Sequence, residues 1–428
     1  MHVSRVSFRL LALLATCVAP RALAQDSAGT RTPMPAPPVL RGLYVNRWAV
    51  LGQRMWDLID VARKTEVNAL VLDVKDDRGY VLYRSSVPLA HAIGADTTMP
   101  VTAARIRAIL DTMRANGIFP IARIVVAKDP ILADAKHEWA VQRRTDGKPW
   151  LDRDGKPWLD PHQRGVWGYA ADLAAEAVGL GFGEVQFDYV RFPDEQRLLR
   201  ESRFPLAKGR RREQVIREQL GYLKERLAPL RVPMTIDVFG LTTTDSTDMG
   251  IGQRWEQFAG QADVVHPMTY PSHYSRGTYG LANPNASPYA TIDRALRDAK
   301  ARNANVMHPP EIVPWYQDFT RGAPHYGVAQ IRAQMQAGYD NGVRSWILWN
   351  PASKYTVAAL RPEILSAEEE AVPASKPSGD SAAFGREQPP ENVRHLSWLF
   401  LRREVPRARE YVDGRIGNRP GQTLSDRN

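Results

Sequence analysis

Eight short runs rich in β-branched and aromatic residues alternate with amphipathic stretches along residues 41–368. Such an alternation is typical of parallel strands that are connected by crossover helices. Eight strand–helix units on one chain close into a barrel more readily than they form an open sheet. The sequence therefore predicts an α/β fold, a (β/α)8 TIM barrel, as the one large domain of the chain.

Hydrophobic periodicity sets the expected bounds of the strands and helices. Strands are predicted at residues 42–48, 69–75, 119–127, 184–190, 234–239, 263–270, 312–318 and 345–350. Helices are predicted at residues 55–65, 103–116, 168–179, 212–228, 289–302 and 328–341.

A seven-residue segment, 146–152, recurs as residues 154–160 directly after the third predicted strand. Each copy reads Asp-Gly-Lys-Pro-Trp-Leu-Asp, and Asp-Gly favours a tight turn between antiparallel segments. Active sites of such barrels lie at the carboxyl ends of the strands. The repeat predicts a hairpin-like flap inserted over that end, and a duplicated loop without a function is the alternative.

Residues 1–24 have the layout of a cleavable export signal. Arg5 and Arg9 precede the apolar run 10–19, and Ala-Leu-Ala ends the segment. We expect an exported protein that is periplasmic or extracellular. Cys17 is the single cysteine of the chain, and lipoprotein anchoring at Cys17 is the alternative.

The segments on either side of the barrel differ from it in composition. Residues 25–40 are rich in proline, which predicts an extended linker, and residues 369–428 predict a flexible, low-complexity C-terminal tail. Removal of residues 1–24 deletes Arg5, Arg9 and Arg21, which lowers the formal net charge from +10 to +7 (10 − 3). Such a surplus favours loose contact with anionic polymers. No basic stripe with interleaved aromatic residues occurs in the barrel region, so no specific nucleic-acid partner is expected. No transmembrane segment is predicted, and the oligomeric state stays open.

Strand parity predicts which side chains face the barrel lumen, because alternate residues of a strand point to opposite sides. On the second strand, Leu70, Leu72 and Val74 suit the helix layer. The same argument on strands two to five turns ionisable or polar groups inward, namely Asp73, Lys75, Arg123, Gln186, Asp188, Thr235 and Asp237. Such a set favours a catalytic centre, and a buried salt-bridge network that only stabilises the barrel is the alternative.

Two carboxylates on neighbouring strands are typical of glycoside cleavage, in which one acts at the anomeric carbon and the other protonates the leaving oxygen. Asp188 and Asp237 are the predicted catalytic pair. Aromatic side chains near the strand ends, including Trp48 and Trp346, supply flat faces for sugar rings or pack the core. The predicted substrate-binding residues are Asp73, Lys75, Arg123, Tyr189, Arg191, His266, Tyr270, Trp315, Gln317, Trp349 and Asn350.

Motifs for other chemistries are missing from the sequence. It contains no Gly-x-Ser-x-Gly elbow, no phosphate-binding Gly-x-x-x-x-Gly-Lys and no His-Glu-x-x-His. His266, His273, His308 and His325 do not share the spacing of metal ligands on one element. We therefore expect no metal and no cofactor.

Seven motifs, in order along the chain, resemble those of a bacterial family of putative glycosyl hydrolases. The motifs occupy residues 41–45, 68–77, 184–193, 237–240, 266–274, 314–319 and 346–350. The block Glu-Val-Gln-Phe-Asp-Tyr-Val-Arg-Phe-Pro around Asp188 is highly specific. The resemblance covers residues 41–356.

The resemblance implies a barrel distantly related to the α-amylase type. In that type the fourth strand carries an aspartate nucleophile and the fifth strand a carboxylate acid/base, positions held here by Asp188 and Asp237. The chain departs from that pattern twice, because Gln186 replaces an arginine and Asp237 replaces a longer glutamate. The departures leave Asp73 or Asp77 as alternative acids.

The sequence thus predicts an exported glycoside hydrolase that acts on a bacterial envelope or extracellular polysaccharide. A glycan-binding barrel without catalysis is the second hypothesis. A metal-dependent polysaccharide deacetylase is the third, although the expected histidine ligand motif is missing.

Overall fold

Eight parallel strands close a barrel in the computed structural model, which describes residues 33–362. The strands are β1 (Arg41–Val45), β2 (Ala69–Lys75), β3 (Phe119–Val125), β4 (Glu184–Asp188), β5 (Met234–Phe239), β6 (Val264–Met268), β7 (Glu311–Ile312 and Trp315–Gln317) and β8 (Trp346–Trp349). β8 pairs with β1 through Trp346 and Arg41, and β7 pairs with β6 through Trp315 and Met268. The predicted barrel is confirmed. The predicted export signal, Cys17 and the predicted C-terminal tail lie outside the described residues.

Crossover helices connect the successive strands. They are α1 (Arg54–Lys64), α2 (Ala103–Ala115), α3 (Arg164–Leu180), α4 (Arg212–Leu227), α5 (Trp255–Phe258), α6 (Pro288–Asn303) and α7 (Val328–Asp340). Short additional helices occupy Arg47–Leu51, Pro88–Ala92 and Pro130–Ala135. None of the described helices is both long and apolar enough to cross a membrane.

Helix α2 illustrates why these segments form helices against the barrel. Ile106, Ile109, Leu110 and Met113 are buried, which is the i, i+3, i+4, i+7 spacing of one helical face. The Thr102 side chain accepts a hydrogen bond from the Arg105 N–H, which satisfies one of the free donors at the first turn. The apolar face thereby packs on the strands and the polar face meets solvent.

Two apolar layers separate the lumen from the helix shell. On β3, Phe119 and Ile121 pack in the inner cluster, whereas Ala122 and Ile124 pack in the outer one. The inner layer fills much of the lower lumen with apolar side chains, among which Glu184, Thr235 and His266 are buried, and a separate group of polar residues lies at the mouth. The alternation of inward and outward side chains along each strand therefore determines which residues can reach the site.

Several strands are shorter than predicted, and the structure shows why for β1 and β7. β1 stops at Val45 because the Asn46 side chain accepts a hydrogen bond from the Ala49 N–H and starts a helix that includes Trp48. β7 is interrupted at Pro314, whose nitrogen has no hydrogen to donate to a neighbouring strand.

A register shift on β2 changes the orientation of Lys75. Asp73 pairs with Arg123 on β3, but Lys75 pairs with Ile124, so two residues of β2 face one residue of β3. Ile124 belongs to the outer layer, and the Lys75 ammonium lies 5.6 Å from the ring of Tyr169 on α3. The prediction that Lys75 points into the lumen is wrong, because the bulge turns it outward.

The repeated segment lies between β3 and α3, as the sequence indicates. Its turns contain Gly147 and Gly155 with φ of 71° and 69°, values that suit glycine. Trp150 and Trp158 of the two copies are buried against Leu199 in one small cluster. The segment packs on the loop that follows β4, and its role as a flap over the barrel mouth stays a prediction.

Candidate active site

Arg123 connects three carboxyl groups at the carboxyl end of the barrel. Its Nη1 donates to Asp73 Oδ1 at 2.5 Å, and its Nε donates to Asp188 Oδ2 at 3.1 Å. The same Nε lies 3.7 Å from Asp237 Oδ2. The acids come from β2, β4 and β5, so the fold brings together side chains that are up to 164 residues apart in the sequence. One planar cation thus balances a cluster of acids that burial alone would disfavour.

The Asp188 carboxylate is fixed at both oxygens. Arg123 holds Oδ2, and the backbone N–H of Tyr189 donates to Oδ1 at 2.6 Å. Tyr189 has φ of 54°, a left-handed conformation that is uncommon for a residue other than glycine. Strained backbone of this kind clusters at functional sites, where surrounding contacts hold it in place.

The carboxyl group of Asp73 has a pKa that is raised towards neutral pH. The Tyr44 hydroxyl donates to its Oδ2 at 2.5 Å, opposite the contact with Arg123. Burial raises the pKa of Asp73 to about 6, although Arg123 and the Tyr44 hydroxyl act to lower it. The same carboxyl group therefore exchanges its proton in the pH range where most enzymes work.

Asp237 is sealed inside the barrel. Its side chain is 0% exposed, against 7% for Asp188, and Gln186 Nε2 donates to its Oδ1. Burial, followed by the neighbouring charge of Asp188, raises the pKa of Asp237 well above its usual value. A general acid must touch the leaving oxygen, so this position does not favour the acid/base role predicted for Asp237.

A cleft of about 240 Å³ opens beside the acid cluster. It is lined by Tyr44, Asn46, Arg47, Trp48, Asp73, Asp76, Asp77, Arg78, Arg123, Tyr189, Trp349 and Pro351. A second cavity of about 270 Å³ includes Glu311 and Ser345, which precede strand residues at the opposite end of the barrel. Chemistry in these barrels takes place at the carboxyl ends of the strands, so the first cleft is the candidate site.

Aromatic side chains form one wall near the acids. Trp349 stacks on Tyr270 with ring centroids 4.9 Å apart, and Trp315 lies 5.8 Å from Tyr44. Burial raises the pKa of Tyr270, and the charges of Asp237 and Asp188 raise it further. These rings therefore lie next to the carboxyl cluster. This position agrees with the aromatic side chains that the sequence analysis found near the strand ends.

Several predicted substrate contacts are engaged in internal hydrogen bonds. Gln317 accepts from the Ser272 N–H and donates to the Phe319 carbonyl, and Asn350 donates to the Asp318 carbonyl. These bonds hold the loops that follow β6, β7 and β8. Substrate binding by Gln317 and Asn350 stays a prediction.

The remaining predicted contacts lie away from the cleft. His266 is buried deeper in the lumen, with Nδ1 2.9 Å from the Val313 carbonyl and Nε2 3.7 Å from Glu184. Arg191 pairs with Asp194 at 3.1 Å and covers the Phe239 ring. Neither side chain, nor the outward-facing Lys75, lines the cleft.

Sequence reasoning missed several residues that the structure places in or near the cleft, and Tyr44 and Lys128 are two of them. Tyr44 faces the lumen on β1, which strand parity could have revealed. Lys128 follows β3, and its ammonium lies 3.7 Å from Asp152 and 4.0 Å from Asp77. Lys128 thereby links the rim of the barrel to the repeated segment, and no sequence pattern marked it.

Within residues 33–362, no group of three or more histidine, cysteine, aspartate and glutamate side chains is arranged to hold a metal ion.

The comparison with protein families gives a match that covers nearly the whole barrel. The family model described as "putative glycosyl hydrolase domain" matches residues 42–355. A comparison with curated proteins found no match.

Two solved structures are similar to this chain. One is a hypothetical protein from Ruminiclostridium thermocellum, with 38% identity, 46% of this chain and 97% of that chain covered, and a TM-score of 0.41. The other is the glycoside hydrolase domain of PgaB (BpsB) from Bordetella bronchiseptica, with 14% identity, 74% and 95% covered, and a TM-score of 0.52. At 14% identity the second similarity shows the barrel fold alone.

Proposed function

This chain belongs to the putative glycosyl hydrolase domain family, and on that premise we propose that it is an exported glycoside hydrolase that cleaves a bacterial envelope or extracellular polysaccharide. The observation that carries the proposal is the Asp188 carboxylate, held by Arg123 and the Tyr189 N–H at the carboxyl end of β4. Catalytic groups of barrel enzymes occupy that end of the strands. Export is supported by the basic and apolar pattern of residues 1–24.

Asp188 is the carboxylate that acts at the anomeric carbon. Arg123 and the Tyr189 N–H fix both oxygens, so little reorganisation is needed when positive charge develops on the sugar ring. Asp237 does not touch the sugar in this proposal. It lies 3.7 Å from the Arg123 Nε and accepts a hydrogen bond from the Gln186 side chain.

A polysaccharide is the class of substrate that fits the aromatic wall. Trp349 and Tyr189 line the cleft, and Trp48 at its rim is 41% exposed. Flat rings beside hydrogen-bonding groups suit sugars, which present both apolar faces and hydroxyl groups. A cleft at the mouth of the barrel suits a chain that runs across it.

Activity is tested with the purified chain that begins at residue 25. It is incubated with bacterial exopolysaccharides and peptidoglycan, and the released sugars are identified by mass spectrometry. Asp188→Asn preserves the shape of the side chain and removes the charge that acts at the anomeric carbon. We expect turnover to fall by about a thousandfold or more while glycan binding persists.

Asp172→Asn is the matched control, because Asp172 is half exposed on α3 and pairs with Arg226 away from the cleft. It should hydrolyse glycans at the wild-type rate. If Asp188→Asn also retained the wild-type rate, the proposed role of Asp188 would be wrong. Binding without turnover by the wild-type chain would instead favour the glycan-binding barrel.

A further inference from the structure

Three acids contact Arg123, but only one of the two that could assist Asp188 reaches the cleft. Asp73 lines the cleft and its side chain is 4% exposed, whereas Asp237 does not line the cleft and its side chain is 0% exposed. A group that protonates the leaving oxygen must come within hydrogen-bonding distance of it. The access of each carboxyl group therefore separates the two candidates.

Arg123 also sets the relative position of Asp73 and Asp188. Arg123 belongs to β3, which lies between β2 and β4. Its Nη1 donates to Asp73 and its Nε donates to Asp188. Because the guanidinium is small and planar, both carboxyl groups are held close to each other at one mouth of the barrel. Retaining glycosidases need a short separation of roughly 5 Å between their two carboxyl groups.

The surroundings of Asp73 suit a group that gives up and regains a proton. Tyr44 from β1 and Arg123 from β3 contact it directly, Asp76 follows on its own chain segment, and Asp188 lies across Arg123. Burial is the largest influence and favours the protonated form at mildly acidic pH. A carboxylic acid keeps acceptor capacity for the Tyr44 and Arg123 hydrogen bonds while its own proton points elsewhere.

We propose that Asp73, and not Asp237, is the general acid and base of this glycoside hydrolase, and that the enzyme retains the anomeric configuration. This inference rests on the proposed function. In the first step, Asp188 forms a bond to C1, the bond from C1 to the glycosidic oxygen breaks, and that oxygen takes the Asp73 proton. In the second step, Asp73 removes a proton from water, the hydroxyl group bonds to C1, and the bond from C1 to Asp188 breaks.

The decisive measurement compares two leaving groups. The probes are the phenyl and 2,4-dinitrophenyl glycosides of the sugar that the wild-type chain releases from the glycan panel. Phenolate needs protonation to leave, whereas dinitrophenolate does not. Asp73→Asn should lower kcat/KM for the phenyl glycoside by about 100-fold or more, and the rate of glycosyl-enzyme formation from the dinitrophenyl glycoside by less than tenfold.

Two matched variants test the choice among the acids. Asp237→Asn and Asp77→Asn carry the same change, and we expect each to affect both leaving groups to the same extent. The inference is overturned if Asp73→Asn slows both probes equally, or if either other variant shows the preference for dinitrophenolate. No hydrolysis of any glycan or aryl glycoside by the wild-type chain would overturn the proposed function instead.

Tyr44→Phe provides a test that leaves the Asp73 carboxyl group in place. The Tyr44 hydroxyl lowers the pKa of Asp73, so its removal should raise that pKa. The first step needs protonated Asp73, and the descending limb of kcat/KM against pH should therefore move to higher pH. An unchanged limb in a folded, active Tyr44→Phe variant would contradict the assignment.

Added azide gives a further signature. In Asp73→Asn, azide can attack the glycosyl-enzyme without help from a base, so it should accelerate turnover of the dinitrophenyl glycoside and yield a glycosyl azide of retained configuration. A product of inverted configuration from the wild-type chain would overturn the retaining mechanism.

Discussion

The Lys75 ammonium lies 2.6 Å from Asp129 Oδ2, and these side chains are only 1% and 0% exposed. The pair ties the end of β2 to the segment that follows β3. Asp129 also accepts a hydrogen bond from the Leu132 N–H, so it caps the short helix Pro130–Ala135. A residue that parity predicted to bind substrate is thus a structural cation under the rim of the barrel.

Lys75→Met should lower the free energy of unfolding by about 3–5 kcal/mol, because it leaves Asp129 buried without its cation. Lys64→Met is the control, since Lys64 pairs with Asp60 at the same 2.6 Å but both side chains are at least half exposed, and it should cost no more than about 1 kcal/mol. Urea unfolding followed by circular dichroism measures both. Equal losses of stability in Lys75→Met and Lys64→Met would show that burial does not determine the cost of removing the cation. Adding Asp129→Asn to Lys75→Met should recover stability, because it removes the unpaired buried charge.

Gly79→Ala should disturb the same ion pair. Gly79 has φ of 86°, and a Cβ there would lie 2.2 Å from Asp129 Oδ1. Gly117 has φ of 68° with no atom within 4 Å of an added Cβ, so Gly117→Ala reports the backbone strain alone, about 1 kcal/mol. Thermal unfolding should show a clearly larger loss for Gly79→Ala, and similar losses for both variants would exclude a clash with Asp129.

Asp73→Asn should change how stability depends on pH. The folded-state pKa of Asp73 is raised from 3.8 to about 6, so the folded protein holds this proton more tightly than the unfolded chain. Its contribution to stability is complete below pH 3.8 and is lost as the pH rises through about 6. In that window the wild-type chain should lose up to about 1.4 kcal/mol per pH unit relative to Asp73→Asn. Urea unfolding at several pH values tests this, and parallel curves would contradict it.

Trp349→Ala should weaken glycan binding, because it removes the aromatic face that lines the cleft beside Tyr270. The affinity is measured by calorimetry in an Asp188→Asn background, with an oligosaccharide released by the wild-type chain. We expect about a tenfold loss, which corresponds to about 1.4 kcal/mol. Trp56→Ala is the control, since Trp56 is 37% exposed on α1 and does not line the cleft. Equal affinities in the Trp349→Ala and Trp56→Ala variants would show that the ring does not bind sugar.

Local sequence patterns predicted the barrel and the side of each strand that faces the lumen. On β2, Leu70 and Leu72 lie in the outer layer, and Asp73 faces the lumen and contacts Arg123 on the adjacent strand β3. These assignments depend on an alternation of period two, which short segments contain in full. The parity argument failed at Lys75, because the bulge depends on how β2 pairs with β3.

The depth of each acid could not be predicted in the same way. Asp188 and Asp237 both face the lumen, yet the Asp188 side chain is 7% exposed and the Asp237 side chain is 0% exposed, with Gln186 on the neighbouring strand β4 donating to Asp237. The role of Tyr44 depends on a contact between β1 and β2 that neither strand specifies alone.

The sequence by itself determined an eight-stranded barrel with an arginine and several acids directed inward, since alternation and chain order fix the direction of side chains. Only the tertiary structure decided which acid meets solvent, which cation pairs with it and which hydroxyl donates to it. Burial and hydrogen bonding are properties of neighbours, and in this barrel those neighbours come from strands that are distant in the sequence.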